Sequence, residues 1–231
     1  DGSARPLALG ERTCTLQRRF QKLVEIAPSP SLPQALRERI TRDALRMAAA
    51  LRYESLGTFE FLVDLASEAL PYVFIEANPR LQVEHTITEE VFGVDLVQTQ
   101  IRLAAGARWA DLGLDPKAPP APRGYAMQWR INAETLTADG SAQPGSGRIG
   151  ALAWPAGPGI RIDSHATPGA SPSPHYDTLL AKLIVHSPAP CFADALGRAR
   201  RALAECRIPG LATNLALLRA LAARPEMDPQ A

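Results

Sequence analysis

Within residues 74–86, FIEANPRLQVEHT, polar and apolar residues alternate from Glu76 to Glu84. Glu76, Asn78, Arg80, Gln82 and Glu84 are polar, and Ala77, Pro79, Leu81 and Val83 stand between them. A period of two marks a strand with one polar face. Residues 57–64 (GTFEFLVD) and 71–78 (PYVFIEAN) are rich in aromatic and β-branched residues and predict two strands joined through LASEAL. Upstream, apolar residues at 36, 40, 44, 47, 48 and 51 predict a helix from Pro33 to about Arg52, with the proline in its first turn. Thr86, Ile87, Thr88 and Glu89 read as a capping box opening a helix that Gly93 interrupts. A second helix is predicted from about Asp95 to Ala105, closed by Gly106.

The pattern changes downstream. Residues 107–123, ending in DPKAPPAPR, are proline-rich and predict a long connection. Short strands are expected near 125–134, 148–154, 159–164 and 179–186, then helices near 192–206 and 213–223. Residues 11–26 carry a basic cluster and end in an apolar run, followed by an APSPSLP loop; the pattern assigns them no element. Strands first and helices last give an α+β fold with antiparallel pairing. Two modules are expected, residues 1–115 and 116–231.

Composition narrows the function classes. The 231 residues are 46% hydrophobic and 21% charged, with a net charge of +1. A balanced chain has no general pull toward nucleic acid or membrane, and neither partner is expected. Cys14, Cys191 and Cys206 are odd in number and far apart, so a reducing, cytoplasmic compartment fits better than a disulfide framework. No apolar run approaches a membrane span, and DGSARPLALGER lacks a signal-peptide core. His85, His165, His175 and His186 are scattered and read as structural. PGSGRI reads as a turn rather than a phosphate loop.

One constellation carries chemistry. Folding the two central strands into a hairpin about residue 68 sets Glu60 opposite Glu76 on one face. Like charges placed so repel unless a cation sits between them. With Asn78 next along, the oxygens suit Mg2+ or Mn2+, and a magnesium ion held by so few protein groups shares its shell with substrate phosphates. Pro79 cannot extend the ladder, so the chain leaves the sheet and the following side chains can line a cleft. Arg80 can grip a small planar anion, and Glu84 beside it can act as a general base. Metal, polyphosphate and a small oxyacid together are the equipment for making an acyl phosphate. The same residues also fit a solvated strand face and a surface ion pair.

The segments ERTCTLQRRFQKLVEIAPSP, GTFEFLVD, FIEANPRLQVEHTITEEVFGVDLVQTQIRLAAG, WRINAE and HYDTLLAKLIV closely resemble the biotin carboxylase family of the ATP-grasp superfamily. The resemblance implies the C-terminal part of an ATP-grasp core (an antiparallel sheet with helices), followed by a biotin carboxylase C-terminal α+β domain. It implies an ATP-dependent ligase that carboxylates carrier-bound biotin from bicarbonate through carboxyphosphate. By matching position, Glu60 and Glu76 would ligate the metal with Asn78 nearby. Lys22, Arg80, Gln82, Glu84 and the Val83 backbone would surround bicarbonate, with Glu84 as base. Arg130 would stabilise the enolate of biotin, and Gln17, Phe20 and Leu62 would lie at the nucleotide. The resemblance departs at Phe20, where the family commonly has a polar residue, often His.

The same resemblance implies ATP, Mg2+ or Mn2+, biotin and bicarbonate as cofactors and substrates. Expected partners are a biotin carboxyl carrier domain or protein, a carboxyltransferase, an N-terminal half of the same module and a second copy of the chain. No lysine is flanked by methionine, so biotin is expected on a separate carrier. The chain looks like a fragment that is inactive alone. The acyl acceptor stays open among acetyl-CoA, propionyl-CoA, pyruvate and urea. A non-catalytic assembly or regulatory module, and another ATP-grasp ligase such as a carbamoyl-phosphate synthase relative, stay open as alternatives.

Overall fold

The computed structural model describes residues 5–137, 139–173 and 175–228. Its contacts fall into two units, Asp1–Glu11 with Ser31–Pro122, and Arg12–Pro30 with Arg123–Ala231. Against the expectation of one boundary near residue 115, the chain thus crosses between units three times.

In the first unit, helix α1 (Gln34–Ala50) precedes a hairpin of strands β3 (Thr58–Val63) and β4 (Tyr72–Asn78). A two-stranded ribbon is marginal by itself. This one is tied to the helix, since the Tyr72 hydroxyl donates to Asp43 Oδ2 at 2.6 Å and the Arg39 guanidinium lies 5.4 Å from the Tyr72 ring centre. Phe59, Phe61, Phe74 and Tyr72 form an aromatic cluster with ring centres 5.8–6.3 Å apart. Helices α2 (His85–Phe92) and α3 (Leu96–Ala104) follow, with Gly93 left-handed at the end of α2.

The expected capping box does not form. Glu84 occupies the N-cap without a side-chain cap bond, which puts Thr86 inside the helix. Glu89 instead accepts from the Leu96 backbone N–H at 2.9 Å and stands 3.1 Å from His85 Nδ1. Its carboxylate bridges the start of α3, a tertiary demand that outcompetes the local motif. The α3 cap is of the ordinary kind, with Asp95 Oδ1 accepting from Gln98 N at 2.8 Å.

The second unit is built on a five-stranded antiparallel sheet in the order β1–β2–β5–β9–β8. Its strands are β1 (Thr13–Arg18), β2 (Gln21–Ala27), β5 (Tyr125–Asn132), β8 (Ile160–Ser164) and β9 (Leu179–Ser187). A small separate ribbon pairs β6 (Glu134–Leu136) with β7 (Ala142–Pro144). Residues 11–26, left without an element by the sequence pattern, thus contain the first two strands of the sheet.

Alternation sorts the faces of this sheet. Met127, Trp129 and Ile131 of β5, with Leu183 and Val185 of β9, are fully buried in one core with Leu196, Leu203 and Leu218. Those leucines come from helices α4 (Phe192–Glu205) and α5 (Leu215–Ala223). Gln128 and Arg130 fall on the opposite, polar face.

The strand expected near 148–154 is absent, because its backbone serves two different segments. Ile149 N–H donates to Ala170 O, while Gly150 N–H donates to Pro209 O and Ala153 exchanges bonds with Arg207. Gly147 permits this approach: at φ 133° a Cβ there would lie 2.2 Å from Gly210 O. Among the described residues no helix is long and apolar enough to cross a membrane.

Candidate active site

The hairpin register places Glu60 directly opposite Glu76 and Thr58 opposite Asn78. A bulge follows Glu60, so that Phe61 pairs with Phe74 and Ile75 is extra. That one residue changes the parity of β4. Phe74 joins the aromatic face, and Glu76 and Asn78 turn to the face of Glu60. The two carboxylates meet at one point: Asn78 Nδ2 donates to Glu76 Oε1 at 2.8 Å and to Glu60 Oε1 at 3.1 Å. Gln82 Nε2 adds a third hydrogen bond, 2.7 Å from the same Glu60 oxygen. Like charges on facing strands would repel, and here amide N–H groups stand between them.

Two carboxylates and an amide that can turn its oxygen inward form a small oxygen-donor set. Carboxylate and amide oxygens are hard donors of the kind that Mg2+ or Mn2+ takes, with the rest of the shell left to phosphate oxygens and water.

Past Asn78 the strand ends at Pro79. Arg80 is exposed, its Nη2 3.4 Å from Asn78 Oδ1 and its Nη1 3.3 Å from Leu81 O. Gln82 and Glu84 are buried, and Glu84 lies at the start of α2. Leu62, two residues along β3 from Glu60, is exposed on the face of the carboxylates. The first unit thus brings together Glu60, Glu76, Asn78, Arg80 and Gln82, with Val83 and Glu84 continuing the same segment.

The remaining expected residues lie in the second unit. Gln17 is on β1, Lys22 is on β2, and Phe20 in the turn between them is almost wholly exposed. Arg18 clamps that turn: its Nη1 and Nη2 donate to Glu134 Oε1 and Oε2 at 2.7 and 3.0 Å, and Nη2 also reaches Gln21 Oε1 at 2.5 Å. Arg130 lies on β5, where its main-chain carbonyl accepts from Asn214 Nδ2 at 3.0 Å. Pairing between β2 and β5 runs only from Val24–Trp129 to Ala27–Ala126. Asn214 continues the ladder beyond it, also accepting from Asn132 N–H at 2.9 Å.

Sequence reasoning missed the partner of Arg130. Glu25, fully buried on β2, accepts from Arg130 Nε at 2.5 Å and from Arg130 Nη2 on the same oxygen. Its other oxygen accepts from the buried Gln128 Nε2 at 3.0 Å. The apolar run LVEIA that contains Glu25 was the available signal, since a carboxylate inside such a run needs a buried cation. On the far side of β5, Lys182 stands opposite Arg130 and is drawn to Asp163 Oδ2 at 3.2 Å. Burial raises the Asp163 pKa, but the Arg161 hydrogen bond and the Lys182 charge outweigh it and hold the carboxyl below its ordinary value.

Known proteins match both units. A profile described as "Carbamoyl-phosphate synthase L chain, ATP binding domain" matches residues 1–112, and one described as "Biotin carboxylase C-terminal domain" matches residues 128–231. A biotin carboxylase of Nostoc is 43% identical over 98% of this chain and 48% of its own length. Pyruvate carboxylase 1 of Caenorhabditis elegans is 47% identical over 91% of this chain and 17% of its own length. The chain therefore spans about half of the one and under a fifth of the other.

Among solved structures, the biotin carboxylase domain of a single-chain bacterial carboxylase aligns with a TM-score of 0.86 at 46% identity, over 96% of this chain and 50% of its own. That of Hydrogenobacter thermophilus 2-oxoglutarate carboxylase, solved with MgADP and bicarbonate, aligns with a TM-score of 0.88 at 40% identity, over 98% and 48%. The fold is the C-terminal part of an ATP-grasp domain followed by a biotin carboxylase C-terminal domain. The chain belongs to the biotin carboxylase family. The match over residues 128–231 separates it from a carbamoyl-phosphate synthase relative.

Proposed function

We propose that this chain supplies part of the catalytic apparatus of an ATP-dependent biotin carboxylase within a biotin-dependent carboxylase. The observation that carries the reading is the meeting of Glu60 and Glu76 at the Asn78 amide. Mg2+, when bound, neutralises phosphate charge on ATP and orients the terminal phosphoryl group. Glu60 and Glu76 would hold the ion, with Asn78 beside them. Leu62 offers an apolar surface to the adenine.

Bicarbonate is gripped by the Arg80 guanidinium, with Gln82 and the Val83 main chain as further donors. Glu84, shielded from water, takes the bicarbonate proton as the bicarbonate oxygen attacks the terminal phosphorus of ATP; the bond from that phosphorus to ADP breaks, ADP leaves and carboxyphosphate forms. Arg130 steadies the negative charge that develops on the biotin ureido oxygen when N1 is carboxylated. Biotin arrives on a carrier, and a carboxyltransferase consumes carboxybiotin. Three cysteines scattered along the chain fit a reducing compartment such as the cytoplasm.

The test uses the complete carboxylase module that carries this chain. Glu76→Gln and Arg80→Ala are each expected to lower bicarbonate-dependent ATP cleavage by about 10²-fold or more, the usual scale for losing one charge-stabilising group. Near-normal turnover in both variants overturns the assignment.

A further inference from the structure

We infer that Glu25 is a positioning residue for Arg130, setting the plane and direction of its guanidinium; this rests on the proposed role of Arg130 in biotin carboxylation. The geometry is specific. Glu25 faces Gln128 across the β2–β5 ladder, which makes Arg130 its diagonal neighbour on the same face. One carboxylate oxygen receives both Nε and Nη2 of Arg130, so the guanidinium is grasped along one edge and cannot rotate about its last bond. Gln128 fixes the other oxygen, so the carboxylate cannot turn either.

Burial makes this arrangement directional. Glu25 has no exposed surface, and the Arg130 side chain keeps about a sixth of its own. The anion is thus anchored in the sheet while the cation extends from it. Lys182, opposite Arg130 on the other neighbouring strand, reaches Asp163 Oδ2 at 3.2 Å. Arg161 and Lys182 share the partly exposed Asp163, and Arg130 has the acid that water does not reach. An arginine anchored this way meets a developing oxyanion without first being ordered, which is the condition for strong electrostatic stabilisation.

The experiment measures two rates on the complete module: carboxylation of free biotin, and bicarbonate-dependent ATP cleavage without biotin. Their ratio isolates the biotin step. Glu25→Ala is expected to lower the ratio by roughly 10-fold to 100-fold, the scale of a misplaced catalytic group. Glu25→Asp keeps the charge but shortens the reach by one methylene, and is expected to lower the ratio in the same direction. Glu25→Gln, which keeps the acceptor at the same distance, is expected to restore most of it. In Arg130→Ala the added Glu25→Ala change should lower the ratio no further.

A double variant well below Arg130→Ala, or Glu25→Ala and Glu25→Asp both at the wild-type ratio, overturns the inference while leaving the reading of Arg130 intact. Arg130→Ala at the wild-type ratio overturns both. Should Glu25→Ala fail to fold, the comparison of Glu25→Asp with Glu25→Gln decides.

Discussion

Replacing Arg18 by alanine tests how the β1–β2 turn is held. The Glu134 side chain is 2% exposed and the Arg18 side chain 18%, and both carboxylate oxygens accept from the guanidinium. Removing the arginine leaves a buried carboxylate without its cation. Breaking such a pair costs about 3–5 kcal/mol, and the partial exposure of Arg18 lets water in and favours the lower end, about 3 kcal/mol. At about 2–4 °C per kcal/mol for a chain of this size, the melting temperature should fall by roughly 6–12 °C.

Differential scanning calorimetry of wild type, Arg18→Ala and Arg18→Lys reads the effect directly. Lysine keeps the charge but not the two-pronged grip, and should fall between the others. A melting temperature for Arg18→Ala within about 2 °C of wild type would refute the reasoning, because the pair would then be worth no more than a surface ion pair, about 0–1 kcal/mol.

Two further outcomes are expected. Asp163 has a folded pKa below its ordinary value, so its contribution to stability is present above the unfolded pKa and is lost as pH falls through the folded one. Thermal unfolding followed from neutral pH into the acid range should show wild type and Asp163→Asn converging in acid and diverging above the ordinary carboxylate range. Gly124 has φ 66°, and a Cβ there would stand 1.9 Å from Ser187 O. Gly124→Ala should therefore prise apart the start of the β5–β9 pairing and destabilise the protein by more than about 1 kcal/mol, measured by urea unfolding.

The site was legible where its geometry is local. Glu60 and Glu76 are joined by a short hairpin, and centring its connection was enough to pair them. The Ile75 bulge could not be foreseen, since neighbouring aromatic and aliphatic residues give no sign of which one is extra. Strands β1 and β2 were hidden for a different reason: β2 finds its partner β5 about a hundred residues later, and Arg18 finds Glu134 at a separation of 116. The pattern of a strand whose ladder is so remote is set by the partner's face, not by its own neighbours. Glu89 failed in the opposite sense, a good local signal spent on the Leu96 amide instead.

The threading of the chain carries its own lesson for protein chemistry. Arg12–Pro30 is stitched by main-chain bonds to a strand on the other side of the proline-rich connection. Proteolysis within residues 113–122 would yield two peptides on a denaturing gel, yet under native conditions the N-terminal peptide would still donate β2 to the sheet. A recombinant piece beginning at Ser31 would instead lose the acid that Arg130 leans on, along with the edge that protects β5 from pairing with a stranger.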